Sequence, residues 1–144
     1  MNNECKNSAG IVQIIKDVMT ARDVESMANL FAINAEWVLI PTGEIYTGPD
    51  KIREVVAGSM KMDFQFVESF YNADQTKLSI EYLHNMVVTE KWGSMSSSEK
   101  PVPGTKFQLK VVWICDTYQG KIVKISEYFD MLTLMNGGTR PNPF

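Results

Sequence analysis

Residues 106–129 read KFQLKVVWICDTYQGKIVKISEYF, and the alternation in this stretch decides the fold class. Side chains of an extended chain point to opposite faces with a period of two. Along Lys121–Phe129 the residues Val123, Ile125, Glu127 and Phe129 therefore share one face, and Lys124, Ser126 and Tyr128 the other. Lys106–Asp116 is a second extended run, and Tyr118-Gln119-Gly120 is a break with turn chemistry between the two. Upstream, Phe64–Tyr71 leads through Asn72-Ala73-Asp74 into Leu78–Thr89, and the Ser/Pro/Gly-rich stretch Gly93–Gly104 separates that run from residue 106.

Before residue 64 the period is helical. Ile11, Ile14, Ile15, Val18 and Met19 predict an amphipathic helix near residues 8–20. Asp23 offers a side-chain cap to a second helix carrying Val24, Met27, Leu30 and Phe31 on one stripe. Ala35–Pro41 is strand-like and is turned by Pro41-Thr42-Gly43. Thr47-Gly48-Pro49-Asp50 opens a third helix, with Pro49 suited to the first turn and Asp50 to the helix dipole, and Ile52, Val55, Val56 and Met60 form its buried stripe. Helices followed by a meander of long strands make an α+β protein rather than an alternating βαβ one. The expected architecture has three N-terminal helices packed on one face of a strongly curved, mostly antiparallel sheet. Ile14, Val18, Met27, Phe31, Ile52 and Val56 should be buried between them.

The 144 residues fit one domain, expected as an ordered core of about 8–136 with short tails. Fourteen Lys and Arg against seventeen Asp and Glu leave a net charge of −3, with no basic patch to neutralise phosphates, so no nucleic-acid partner is expected. No apolar run approaches the roughly 18 residues that span a bilayer, and Met1–Gly10 lacks the basic and apolar regions of a secretory signal. A cytoplasmic protein without membrane association is the expectation. Cys5 and Cys115 are isolated, no Cys/His spacing suggests a metal site, and no cofactor is implied.

Glu127 places a carboxylate on the apolar face of its strand. Unpaired burial would be costly, so the acid must either find donors or raise its pKa and hold its proton. A carboxyl with a raised pKa suits proton transfer near neutral pH; an acid paired to a lysine or capping backbone amides would be structural. The only histidine, His84, falls in register with Ile80, Tyr82 and Met86, on a face that is either core or a surface used in dimerisation. A strand histidine of this kind is most often structural. It has no Ser or Cys nucleophile motif beside it, and Gly137-Gly138 lacks the Lys and following helix of a phosphate loop. Trp37, Trp92 and Trp113 are packing residues that could also line a cavity.

The strings Leu30-Phe31-Ala32, Ala35-Glu36-Trp37 and Tyr46-Thr47-Gly48-Pro49-Asp50-Lys51-Ile52-Arg53 resemble the first half of nuclear-transport-factor-like domains, and Gly120-Lys121-Ile122 with Ser126-Glu127-Tyr128-Phe129-Asp130 resembles their last strand. Within that superfamily the chain is most similar to SnoaL-like polyketide cyclases and limonene epoxide hydrolases, over roughly residues 8–136. The resemblance implies a cone-shaped domain enclosing a pocket, with Glu127 at the position of the aspartate that serves as general acid or base. The cyclases' polar partners on the penultimate strand fall at Val111 and Trp113. The Asp–Arg–Asp set of the epoxide hydrolases falls at Asn85, Leu83 and Glu127, with Trp37 and Leu39 in place of its Tyr and Asn. Only the last acid is kept, which favours a cyclase or isomerase over a water-activating hydrolase. The resemblance also directs Leu83 and Asn85 into the pocket, whereas alternation favours burial of the His84 face. Both hold if the Tyr82–His84–Met86 face packs against a second subunit. The implied site is then Glu127 as the proton-transfer residue and Asn85 orienting it, with Trp37, Leu39, Leu83, Leu109, Val111 and Trp113 shaping an apolar cavity. The implied ligand is an apolar, polyketide- or terpenoid-like small molecule, and the implied assembly is a homodimer through the sheet. The alternatives are a non-catalytic carrier of an apolar ligand and a protein-interaction module.

Overall fold

In the computed structural model, residues 10–90, 102–135 and 137–138 are described; Cys5, Trp92, most of the Gly93–Gly104 stretch and the 139–144 tail lie outside them. The elements run α1 (Ile11–Thr20), α2 (Val24–Ala28), β1 (Phe31–Leu39), β2 (Glu44–Thr47), α3 (Pro49–Lys61), β3 (Asp63–Tyr71), β4 (Lys77–Val87), β5 (Lys106–Tyr118), β6 (Lys121–Phe129) and α4 (Met131–Met135). The six strands form one curved, unclosed sheet in the order β2-β1-β6-β5-β4-β3. All pairings are antiparallel except β1 with β6. The helices bury their apolar stripes against the concave side, in a single cluster that joins Ile15, Met27, Ile52 and Val56 to Trp37, Tyr82 and Trp113.

The first helix buries Ile11, Val12, Ile15 and Met19. Ile14 is 40% exposed, against expectation, because the buried stripe is rotated toward Ile11 and Val12. Arg22 ends the α1 turn at φ 55. Its guanidinium donates to the Met60 and Met62 carbonyls, 3.0 Å for the latter, and lies over the Phe64 ring at 5.1 Å. A cation thus satisfies carbonyls at the end of α3. Asp23 caps α2 as expected, accepting from the Ser26 N–H at 3.1 Å. The helix stops at Ala28, earlier than its apolar stripe suggested. The Leu30 carbonyl accepts from the Ile122 N–H at 2.8 Å, so pairing with β6 captures the chain and Phe31 opens a strand. At the same end of β6, Gln119 (φ 49) and Gly120 (φ 75) form the two-residue β5–β6 hairpin turn, whose left-handed pair matches strand twist.

The register of β4 settles which of its faces is inside. His84 pairs with Phe64 and Leu109, Tyr82 with Phe66 and Val111, and Ile80 with Trp113. Leu78, Ile80, Tyr82 and His84 are buried on the concave side. Leu83 and Asn85 lie on the convex face, away from Glu127, which corrects the expectation that they line a cavity with it. Since a one-residue slip exchanges the two faces of a strand, the apolar set fixes the register.

Candidate functional site

Glu127 sits on β6 between Trp113 of β5 and Leu39 of β1, its Cα partners on either side. The side chains of Trp37, Trp113 and Tyr82 converge on it. The Trp113 indole Nε1–H donates to Glu127 Oε1 at 2.7 Å, and the Tyr82 hydroxyl donates to the same oxygen at 3.3 Å. The Trp37 indole N–H faces the carboxyl closely enough to lower its pKa, yet it is buried and makes no hydrogen bond among the described residues. Trp113 meets Trp37 edge-on at 5.1 Å and 82°, and Tyr82 edge-on at 5.1 Å and 78°. Phe31 stacks on Trp37 at 5.8 Å. Edge-to-face and stacked pairs of this kind are the arrangements aromatic quadrupoles favour, and they hold the donors rigidly.

Burial pushes the Glu127 carboxyl above its ordinary value, and the hydrogen bonds from Trp113 and Tyr82, with a smaller pull from the nearby Trp37 N–H, bring it partly back. Burial, with the Glu127 charge behind it, raises Tyr82 well above the usual phenol range, so Tyr82 remains a neutral donor. On β2, Tyr46 donates to Glu44, and its pKa is pushed up to about 12, chiefly by that bond, with the Glu127 charge adding a smaller push. His84 lies edge-on to Tyr82 at 4.8 Å. Its Nδ1 is buried without a partner among the described residues, and burial lowers its pKa against the opposing pull of Asp63. The arrangement can therefore offer one protonatable carboxyl, fixed by neutral donors, with the His84 imidazole on the far side of Tyr82. Among the described residues no three His, Cys, Asp or Glu side chains converge as a metal site would need.

Of the residues singled out in the sequence, Glu127, Trp37 and Trp113 come together, with Leu39 half-buried beside them. Leu109 and Val111 are buried farther along the same face of β5, opposite His84 and Tyr82. Asn85 is held on the convex side, donating to Asp63 at 3.2 Å and accepting from Gln108 at 2.9 Å. A depression of about 440 Å³ that includes Asp63, Asn85, Met86, Phe107 and Gln108 lies at this edge and does not include Glu127. Tyr82 and Tyr46 were missed as site residues. Alternation with Ile80 was the available signal for Tyr82; for Tyr46 the four residues of β2 carry none.

No family model and no curated protein sequence matches the chain. Its three-dimensional structure is similar to that of a candidate polyketide cyclase from Xanthomonas campestris, with a TM-score of 0.70 and 16% identity over 93% of this chain and 98% of that one. A candidate isomerase from Bacillus subtilis gives a TM-score of 0.63 and 17% identity over 96% and 98% of the two chains. A protein from Catenulispora acidiphila with a ketosteroid isomerase-like fold, solved with trimethylamine, gives 0.62 and 16% over 87% and 88%. The chain thus has the nuclear-transport-factor-like, ketosteroid-isomerase-like fold shared by proteins named as polyketide cyclases and isomerases.

Proposed function

We propose that the protein is a small-molecule isomerase or cyclase acting on an apolar, polyketide- or terpenoid-like substrate by proton transfer at Glu127. The observation that carries this reading is the half-buried Glu127 carboxyl, raised in pKa and fixed through Oε1 by Trp113 and Tyr82. Oε2 is then the oxygen that gives or takes the proton, because both donors favour charge on Oε1. Trp113 and Tyr82 do the orienting first expected of Asn85. Leu39, Val111 and Leu109 supply apolar surface, and exclusion of water there strengthens the carboxyl's effect on a bound carbonyl.

The alternative, a non-catalytic carrier, draws on the lack among the described residues of a second acid or base hydrogen-bonded to Glu127. Hydrogen–deuterium exchange at the α-carbon of 2-tetralone, an enolisable apolar ketone, separates the two. Exchange above the buffer rate, lost by a hundredfold or more in Glu127→Gln, is expected, since general acid–base catalysis is worth roughly that much. Binding of the ketone with no exchange above buffer would make the protein a carrier. We further propose a homodimer through the convex face of the sheet.

A further inference from the structure

The Trp37 indole N–H is the one polar atom beside Glu127 with no hydrogen bond among the described residues, although its side chain is only 1% exposed. An indole nitrogen donates and cannot accept. A buried donor left unpaired costs free energy, and native structures seldom leave one without a reason. Trp113 and Tyr82 both spend their protons on Oε1 of Glu127, so Oε2 and the Trp37 N–H are the polar atoms still available there. With Glu127 protonated, both present hydrogen, and an oxygen with two lone pairs and no proton of its own would satisfy both. The surrounding rings of Phe31, Trp113 and Tyr82 disfavour a charged ligand, which would lose its hydration there.

We propose that the Trp37 indole N–H is a ligand-recognition donor, which together with Oε2 of Glu127 receives the carbonyl oxygen of an uncharged, apolar molecule. This rests on the reading of Glu127 as the acid of the site and adds the feature that selects ketones over hydrocarbons of the same shape.

The test compares 2-acetylnaphthalene with 2-isopropenylnaphthalene, which replaces the C=O by C=CH₂. The ketone should bind more tightly, by about tenfold for each hydrogen bond it accepts. Trp37→Phe, which keeps a ring and removes the N–H, should lower that preference about tenfold relative to the parent, leaving what Oε2 of Glu127 contributes, while the alkene binds as before. In the unaltered protein the Trp37 indole proton resonance should move downfield with the ketone alone, which decides the matter if Trp37→Phe does not fold. Equal binding of the two probes with an unmoved resonance overturns the proposal, as does uptake of neither at millimolar concentration. Glu127→Gln separates the two readings. It should still prefer the ketone through Trp37, and in the unaltered protein discrimination without any α-proton exchange would retain the role of Trp37 and remove that of Glu127 as a proton-transfer group.

Discussion

At the scale of single residues, half-buried Glu127 and buried His84 are both ionisable groups pushed toward neutrality, and they tilt stability with pH in opposite directions. The folded pKa of Glu127 lies above its unfolded value of about 4.3. Between the two values the folded chain holds a proton the unfolded chain has released, so stability falls as pH rises through that window. His84 has a lowered folded pKa. Below about 6.5 the unfolded chain takes a proton that the folded one refuses, so the contribution of His84 is lost as pH falls. Glu127→Gln removes only the first effect. Its thermal midpoint relative to the parent should rise with pH, being neutral or higher near pH 7. Carboxyl NMR of the parent should show Glu127 titrating above ordinary glutamates. An ordinary titration together with a lower midpoint in the variant would make Glu127 a structural acid. Alternation along β6 was enough to pick out this residue, because an acid among Ile125 and Phe129 breaks a strict pattern. The same rule applied to β4 selected Tyr82 and His84, and the family resemblance drew attention away to Leu83 and Asn85. A polar residue buried by its hydroxyl bond to another strand, as Tyr82 is, becomes recognisable only once the partner strand is in register.

At the scale of elements, the places where sequence and structure part are those decided by long-range contacts. The α2 stripe through Leu30 and Phe31 fitted a helix locally, but the Ile122 N–H takes the Leu30 carbonyl and starts β1 instead. The short β2 exists because Trp37 and Leu39 offer it an edge to pair with. Beyond β6, α4 is capped by Asp130, whose carboxylate accepts from the Leu132 N–H at 3.0 Å and the Thr133 hydroxyl at 2.6 Å. Gly138 follows, and a Cβ there would lie 2.4 Å from Phe107 Cβ at φ +93. Gly138→Ala should therefore destabilise by about 1–3 kcal/mol, from strained backbone and overpacking together; an unchanged urea midpoint would mean that α4 shifts freely from β5. Arg22 allows a paired comparison. Arg22→Ala loses the bonds to Met60 and Met62 and keeps a left-handed φ that suits glycine. Arg22→Gly loses the same bonds without the steric penalty, so it should be the milder change by roughly 1 kcal/mol. The reverse order would show that the left-handed φ of this turn carries no penalty that glycine relieves.

At the scale of the whole molecule, the convex face of the sheet is unlike an ordinary solvated surface. Val38, Ser126 and Ile114 form one row across β1, β6 and β5, and Tyr128 and Val112 form another. Ile114 is 39% and Tyr128 45% exposed. Ion pairs flank the rows, Lys77 with Asp116 and Lys110 with Glu81 at 3.0 Å. Apolar rows edged by charge are what an interface between copies requires, since contiguous apolar patches seldom stay in water. A two-fold axis through the face would place Ile114 and Tyr128 of each copy against the same residues of the other. Sedimentation should then show a dimer at micromolar concentration, and Ile114→Asp should weaken it by tenfold or more, because two carboxylates would be buried without partners. Ile114 and Glu127 point to opposite faces, so the variant should keep the raised titration of Glu127. A parent that sediments as a monomer at high micromolar concentration would remove the dimer. A variant that loses the Glu127 titration along with the dimer would show instead that the site is formed only in the assembly.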